Sequence, residues 1–187
     1  MTQSKRDNGI ILVTGPASSG KSQWAEQLAI ATGMAVSYAA TARVDPEDEE
    51  WQLRIEQHQR RRPNSWKTLL VPVELGAAFQ NTTASDCLLV DSLGTWVANL
   101  LEEEETAWEE RVAGVLASLR AVSGVAILVA EETGWGVVPA YRVGRQFRDR
   151  LGRLTRQTGA IATTVYLVTG GYALNLSALG EPLSEEL

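Results

Sequence analysis

The feature that most constrains this chain is a junction. The apolar run Ile10-Ile11-Leu12-Val13-Thr14 leads into Gly15-Pro16-Ala17-Ser18-Ser19-Gly20-Lys21-Ser22, and an amphipathic stretch begins at Gln23. The octet fits the phosphate-loop pattern G-x-x-x-x-G-K-[ST], and its strand-before, helix-after setting is the one that pattern requires. In such a loop, successive backbone N–H groups curl around phosphate oxygens. Glycines permit the dihedrals and the close approach, and the helix N-terminus adds a favourable dipole. Lys21 is placed to reach the outer phosphates and Ser22 to ligate Mg²⁺. A nucleoside triphosphate is therefore the expected ligand. Switches, pumps, kinases and nucleotidyl transferases all use this loop, so the rest of the chain must discriminate among them.

Five short apolar runs, residues 10–14, 35–39, 87–91, 125–130 and 164–169, read as strands buried on both faces. Helical spacing fills the stretches between them at 23–31, 93–101, 109–121 and 142–157. This alternation predicts an α/β fold with a mostly parallel sheet, helices on both faces and ligands at the carboxyl ends of the strands. A length of 187 residues suits one domain over residues 1–187. Residues 174–187 are acidic and punctuated by Gly and Pro, which predicts no regular structure there.

Composition narrows the classes further. No run approaches the roughly 18 apolar residues of a membrane span, so no stable membrane insertion is expected. The start MTQSKRDNG lacks the apolar core and cleavage site of a secretory signal, which leads us to expect a cytoplasmic protein. Cys87 stands alone inside an apolar run and reads as a core residue, leaving no disulfide or thiolate metal site. The formal charge of -6 argues against a general nucleic-acid binder. Of the 17 basic residues 14 are arginine, and they concentrate at 54–62 and 142–156. These clusters are either solvated helix faces or, since guanidinium suits bidentate phosphate contacts, sites for a small phosphorylated ligand.

Leu88-Leu89-Val90-Asp91 is a hydrophobic strand ending in a carboxylate. Such a residue serves as a turn or cap, or holds a metal directly or through water; downstream of a phosphate loop the metal role is favoured. Asp91-Ser92-Leu93-Gly94 also fits the D-x-x-G motif of regulatory GTPases. None of the five asparagines is followed by lysine, however, so the guanine-reading N-K-x-D motif is missing.

The discriminating stretch is 49–63, EEWQLRIEQHQRRRP. As a helix it would put Trp51, Ile55 and His58 on one face, with Arg54 four residues before His58, Arg62 four after it, and Pro63 ending the helix. His58 is the single histidine. Spacing alone leaves two readings: a part-buried histidine with a satisfied hydrogen bond, or a nucleophile that forms a phosphoramidate. The neighbouring arginines favour the neutral, nucleophilic imidazole and neutralise the phosphates under attack.

Together these residues resemble the bifunctional adenosylcobinamide kinase and adenosylcobinamide-phosphate guanylyltransferase family of cobalamin assembly. The likeness is carried by ILVTGPASSGKS (11–22), RIEQHQRRRP (54–63), Trp66, LLVDSLGTWVANLL (88–101) and ETGWGVVPAYRVGRQFRDRLG (132–152). It implies a RecA-like P-loop NTPase fold and a homotrimer whose small-molecule partners are adenosylcobinamide and adenosylcobinamide phosphate. It also implies two reactions. First, ATP or GTP phosphorylates the aminopropanol hydroxyl of adenosylcobinamide; then GTP guanylylates a histidine, and GMP passes to the new phosphate to give adenosylcobinamide-GDP. His58 matches that histidine, and Gly15 to Ser22 match the nucleotide loop. Thr41, Ala42, Arg43, Arg60, Arg61, Arg62, Pro63 and Asp91 fall where the family contacts nucleotide or metal, so Lys21, Ser22 and Asp91 would handle phosphate and Mg²⁺.

The chain departs from the family pattern at three places. Leu70 replaces an acid able to accept hydrogen bonds from a guanine edge, Glu131 stands where Asn is usual, and Thr155 where Asn is expected. Glu131 and Glu132 read either as general base and acceptor-positioning groups or as a polar turn before Gly134. Trp135 and Tyr141 would pack on a corrinoid, a core or a subunit. Arg142, Arg145 and Arg148 line one helical face for phosphate or, preferentially, a partner subunit. A kinase lacking guanylyl transfer and a non-catalytic GTP-binding regulator remain as alternatives.

Overall fold

The apolar runs become the middle of one sheet. The computed structural model describes residues 9–43 and 62–183. Its strands are β1 (Ile10–Gly15), β2 (Ala35–Ala40), β3 (Lys67–Leu70), β4 (Asp86–Asp91), β5 (Val125–Glu131), β6 (Thr164–Thr169) and β7 (Tyr172–Asn175). They lie in the order β3-β2-β4-β5-β1-β6-β7. Every neighbouring pair is parallel except β6 with β7. The predicted parallel α/β architecture is the one observed.

Alternation within each strand divides the core in two. Leu12, Leu88, Val90, Ala126 and Leu128 face one side, where α2 (Leu75–Gln80), α3 (Leu93–Ala98), α4 (Glu105–Arg120) and α5 (Arg142–Ile161) bring Phe79, Trp96, Leu116 and Leu154 against them. Val13, Val36, Tyr38, Leu89 and Ile127 face the other, against Ala25 and Ala29 of α1 (Lys21–Ala31). Cys87 belongs to this second core, and burial pushes its thiol pKa up to about 11, as expected of an inert packing residue. Trp96 is fully buried yet satisfied, its indole Nε1–H donating to the Val73 carbonyl at 2.9 Å.

Two strands escaped the sequence reading. β3 is an edge strand of four residues whose side chains are mostly exposed, so it carries no periodic signal. Residues 172–179, expected to lie partly in an irregular tail, instead form β7 and the short helix α6 (Leu176–Leu179). The cause is Gly170-Gly171, with φ of 57° and 82°. A two-residue turn with positive φ at both positions matches the twist of paired antiparallel strands, so the chain folds straight back. Gly-Gly between Thr169 and Tyr172 was the signal available. Residues 49–61 of the predicted helical stretch lie outside the described residues. No helix among the described residues is long and apolar enough to cross a membrane.

One arginine of the second basic cluster is structural. Arg150, 3% exposed, donates to the carbonyls of Leu100 (3.0 Å) and Glu103 (2.7 Å), pairs with Glu105 at 3.1 Å and lies over the Trp108 ring. It ties α5 to the loop between α3 and α4. Replacing it removes the guanidinium donor from the Glu103 carbonyl and one of two donors from the Leu100 carbonyl, which also accepts the Glu103 N–H at 3.1 Å, a loss of about 1–3 kcal/mol. Arg150→Ala should therefore lower the urea midpoint of unfolding by a corresponding amount, and a midpoint unchanged within error would contradict this role.

Candidate active site

Parallel pairing brings the functional residues to one edge. Gly15 is in register with Glu131, and Asp91 with Val129, so the ends of β1, β4 and β5 meet there. Between β1 and α1 the loop runs through Ser18 at φ 58° and Gly20 at φ 90°. The left-handed turn at Gly20 is cheap only for glycine. Gly15 is demanded by space: a Cβ there would run into the Val168 carbonyl and Ser19 Oγ. Lys21 is nearly buried, its ammonium donating to the Pro16 carbonyl at 3.2 Å and held inside the loop it would serve. Ala17, Ser18 and Gly20 are exposed, leaving the outer rim of the loop open.

The head of α1 is tied to β4. Ser22 Oγ donates to Asp91 Oδ1 at 3.2 Å, and Tyr38 Oη donates to Asp91 Oδ2 at 2.9 Å. Burial, reinforced by the Asp91 charge, pushes the Tyr38 phenol well above its ordinary pKa, so it stays protonated and donating. Arg62 stacks on the other end of this unit, with Cζ 3.6 Å from the Tyr38 ring centroid. A hydroxyl and a carboxylate oxygen this close form a hard donor pair that suits Mg²⁺, which keeps waters and substrate oxygens in its shell and needs few protein ligands.

Behind the loop, Glu131 Oε2 accepts the Gly94 N–H at 3.0 Å. Desolvation raises the pKa of its carboxyl, opposed by a Ser92 hydrogen bond and by the Lys21 charge. Glu132 accepts the Thr14 hydroxyl at 2.6 Å through its side chain, while its N–H donates to the Gly15 carbonyl at 2.9 Å. Ser92 caps α3 in a reciprocal box with Thr95.

The structure sorts the residues named from sequence. Gly15, Pro16, Ala17, Ser18, Ser19, Gly20, Lys21, Ser22 and Asp91 form one constellation, and Arg62 reaches it through Tyr38. His58, Arg60 and Arg61 lie outside the described residues. Thr41 is fully buried and acts as scaffold. Its hydroxyl donates to the Ser92 carbonyl at 2.7 Å, accepts the Ser92 N–H at 2.9 Å and touches Thr95 Oγ1, while Asn99 holds its carbonyl at 2.7 Å. Ala42 is half-buried; Arg43 and Pro63 are exposed, and Arg43 donates to the Asn99 carbonyl at 3.4 Å. Leu70 ends β3 beside Ala40, 71% exposed, and offers no acceptor to a base. Trp135 and Tyr141 are exposed, and Thr155 is half-buried on α5. Arg145 and Arg148 donate to carbonyls of the loop before α5: Arg145 to Pro139 and Ala140, Arg148 to Gly134. Tyr38 was missed; strand alternation with Val36 placed it on a core face, but no motif marks its hydroxyl.

A phosphate cradle at the end of β1, a carboxylate at the end of β4 with β5 between the two strands, and a parallel sheet define a RecA-like P-loop protein. The same architecture occurs in the flagellar accessory protein FlaH from Methanocaldococcus jannaschii, 16% identical, with a TM-score of 0.51 over 94% of this chain and 82% of that one. A Pyrococcus horikoshii OT3 protein, PH0250, is 8% identical with a TM-score of 0.58 over 98% and 95%. Sequence goes further than fold: the profile of the family described as cobinamide kinase / cobinamide phosphate guanyltransferase matches residues 11–176, and the chain belongs to that family. It is 41% identical over 175 residues to the bifunctional adenosylcobalamin biosynthesis protein CobP of Pseudomonas aeruginosa, spanning 92% of this chain and 98% of that one. To the corresponding CobU of Escherichia coli it is 32% identical over 182 residues, spanning 89% and 99%.

The raised carboxyl of Glu131 yields a pH signature. Its folded pKa exceeds its unfolded value, so the cost of ionising it is absent below the unfolded pKa and grows as pH rises toward the folded pKa. Glu131→Gln keeps an acceptor for Gly94 N–H and has no charge to bury. The variant should gain thermal stability relative to wild type at pH 7–8, with the gain fading near pH 4. A gain that is larger at the acid end would contradict the assignment.

Proposed function

We propose that this member of the cobinamide kinase / cobinamide phosphate guanyltransferase family performs both reactions at the single edge built by β1, β4 and β5. The observation that carries the reading is Ser22 against Asp91 at the mouth of the phosphate loop, in a chain matching the family profile from 11 to 176. In the first reaction the aminopropanol hydroxyl of adenosylcobinamide attacks the γ-phosphorus of ATP or GTP. The bond to the bridging oxygen breaks, the nucleoside diphosphate leaves, and the hydroxyl proton passes to a carboxylate. Glu132 is the favoured base, because Glu131 stands where relatives carry Asn and its Oε2 is engaged by Gly94 N–H.

In the second reaction the imidazole of His58 attacks the α-phosphorus of GTP, a P–N bond forms and pyrophosphate leaves. A terminal oxygen of adenosylcobinamide phosphate then attacks the same phosphorus, the P–N bond breaks, and His58 is regenerated with adenosylcobinamide-GDP as product. Which bond breaks depends on which nucleophile stands in line with which phosphorus, so one cradle serves both. Ser22 and Asp91 would hold Mg²⁺, which when bound neutralises charge on the phosphate oxygens. Lys21 moves from the Pro16 carbonyl to the outer phosphates. Residues 1–187 act as one domain, and the resemblance supports a cytoplasmic homotrimer.

Incubation with α-labelled GTP and Mg²⁺ should place acid-labile label on the wild-type protein, and His58→Ala should abolish it while phosphorylation of cobinamide persists. Phosphorylation with no protein label would reduce the chain to a kinase, and binding without turnover of either kind would make it a regulator.

A further inference from the structure

The carboxylate favoured above as the base of the first reaction borders a space that neither reaction has used. Glu132 Oε1 accepts the Thr14 hydroxyl at 2.6 Å, and both residues line a cavity of about 1000 Å³. Its apolar walls are Leu12 of β1, Val112 and Leu116 of α4, Leu154 of α5, Val165 of β6 and Leu176 of α6. The Glu132 N–H is bonded to the Gly15 carbonyl at 2.9 Å, so one end of the cavity abuts the start of the phosphate cradle. A second cavity, about 970 Å³ beside β3 and α2, is lined by no residue of the phosphate loop and by none of Asp91, Glu131 and Glu132. We propose that the cavity beside Glu132 seats the corrin body of the acceptor, with its aminopropanol arm directed to Glu132.

The lining selects an acceptor of this kind over a second nucleotide. Aliphatic walls around a volume at the upper end of what small-ligand sites offer suit an occupant that is large and mostly uncharged. Charge on the wall is already paired: Arg153 stands 3.5 Å from Glu105 and 3.8 Å from Glu109, which leaves it less attraction for a polyphosphate. Thr155, also on the wall, has a buried hydroxyl with no protein partner. Threonine on a helix has two accessible χ1 wells, so this hydroxyl can turn to an acceptor oxygen, and the peripheral amides of a cobinamide carry such oxygens. The inference rests on the reading of the chain as a cobinamide transferase with Glu132 as its base.

The test fills the cavity from two sides in the full-length protein. Thr155→Phe does so from α5, and Ala113→Trp from an exposed position on α4 that also lines the cavity, where a large side chain is tolerated by the core. Equilibrium dialysis measures the Kd of adenosylcobinamide in the presence of Mg²⁺ and a non-hydrolysable GTP analogue, and a separate titration measures the Kd of that analogue. Each variant should raise the adenosylcobinamide Kd at least tenfold and leave the Kd of the analogue within twofold of wild type. Wild-type adenosylcobinamide affinity in both variants overturns the assignment. So does a parallel loss of nucleotide binding in both, which would make the cavity part of the packing beneath the cradle. A change of mass in sedimentation, with cobinamide binding kept, would assign the cavity to a contact between copies of the chain and overturn it as well. Wild-type protein that binds the analogue but no adenosylcobinamide overturns the transferase reading itself, an outcome distinct from a wild type that binds both and variants that bind both equally well.

Discussion

The contact between Ser22 on α1 and Asp91 on β4 is the constraint around which the working edge is arranged. It joins the first residues after the phosphate loop to a strand two positions away in the sheet, with β5 between them. Parallel pairing makes this possible. Strands that all run the same way end at the same edge, so one helix N-terminus and one carboxylate converge without any long-range loop having to find its place. The apolar interior of each strand supplies the registry. Slipping β4 by one residue would send Asp91 to the side occupied by Trp96 and Leu116 and turn Leu88 toward α1.

Charge at this edge is managed by pairing. Asp91 is met by two hydroxyls, Lys21 by a carbonyl in its own loop, and Glu131 by the Gly94 N–H with the Lys21 charge nearby. Each of these partners except the Gly94 amide and the buried Tyr38 hydroxyl can be exchanged for a phosphate oxygen or a cation without leaving a core group unpaired, which is what a site built for a polyanionic substrate requires. The scaffold beneath is less negotiable. Thr41 and Asn99 lock the end of β2 to the start of α3, and Arg150 fixes the far end of that connection from below.

Much of this was legible in the residues. Among the described residues, five of the seven strands and the cradle follow from apolar runs and one octet, because buried parallel strands and phosphate loops impose strong local demands. The edge strands were not. β3 is too short and too exposed to alternate visibly, and β7 exists because of a Gly-Gly turn, a signal confined to two residues. The arginines of α5 illustrate a different limit. Their helical spacing was readable, but whether Arg150 served a ligand or the protein's own carbonyls depended on a loop fifty residues earlier in the chain. Tyr38 was hidden for the same reason: a tyrosine in a buried strand looks like packing until its hydroxyl is seen against Asp91.

The account stands on one edge serving as the seat of the triphosphate, and a crystal structure of the protein with Mg²⁺ and a non-hydrolysable GTP analogue measures that directly. The phosphate chain should lie along the backbone amides from Gly15 to Ser22, with the cation against Ser22 Oγ and on the Asp91 side of the loop. A nucleotide seated elsewhere, with Ser22 still bonded to Asp91 and no cation beside them, would contradict it.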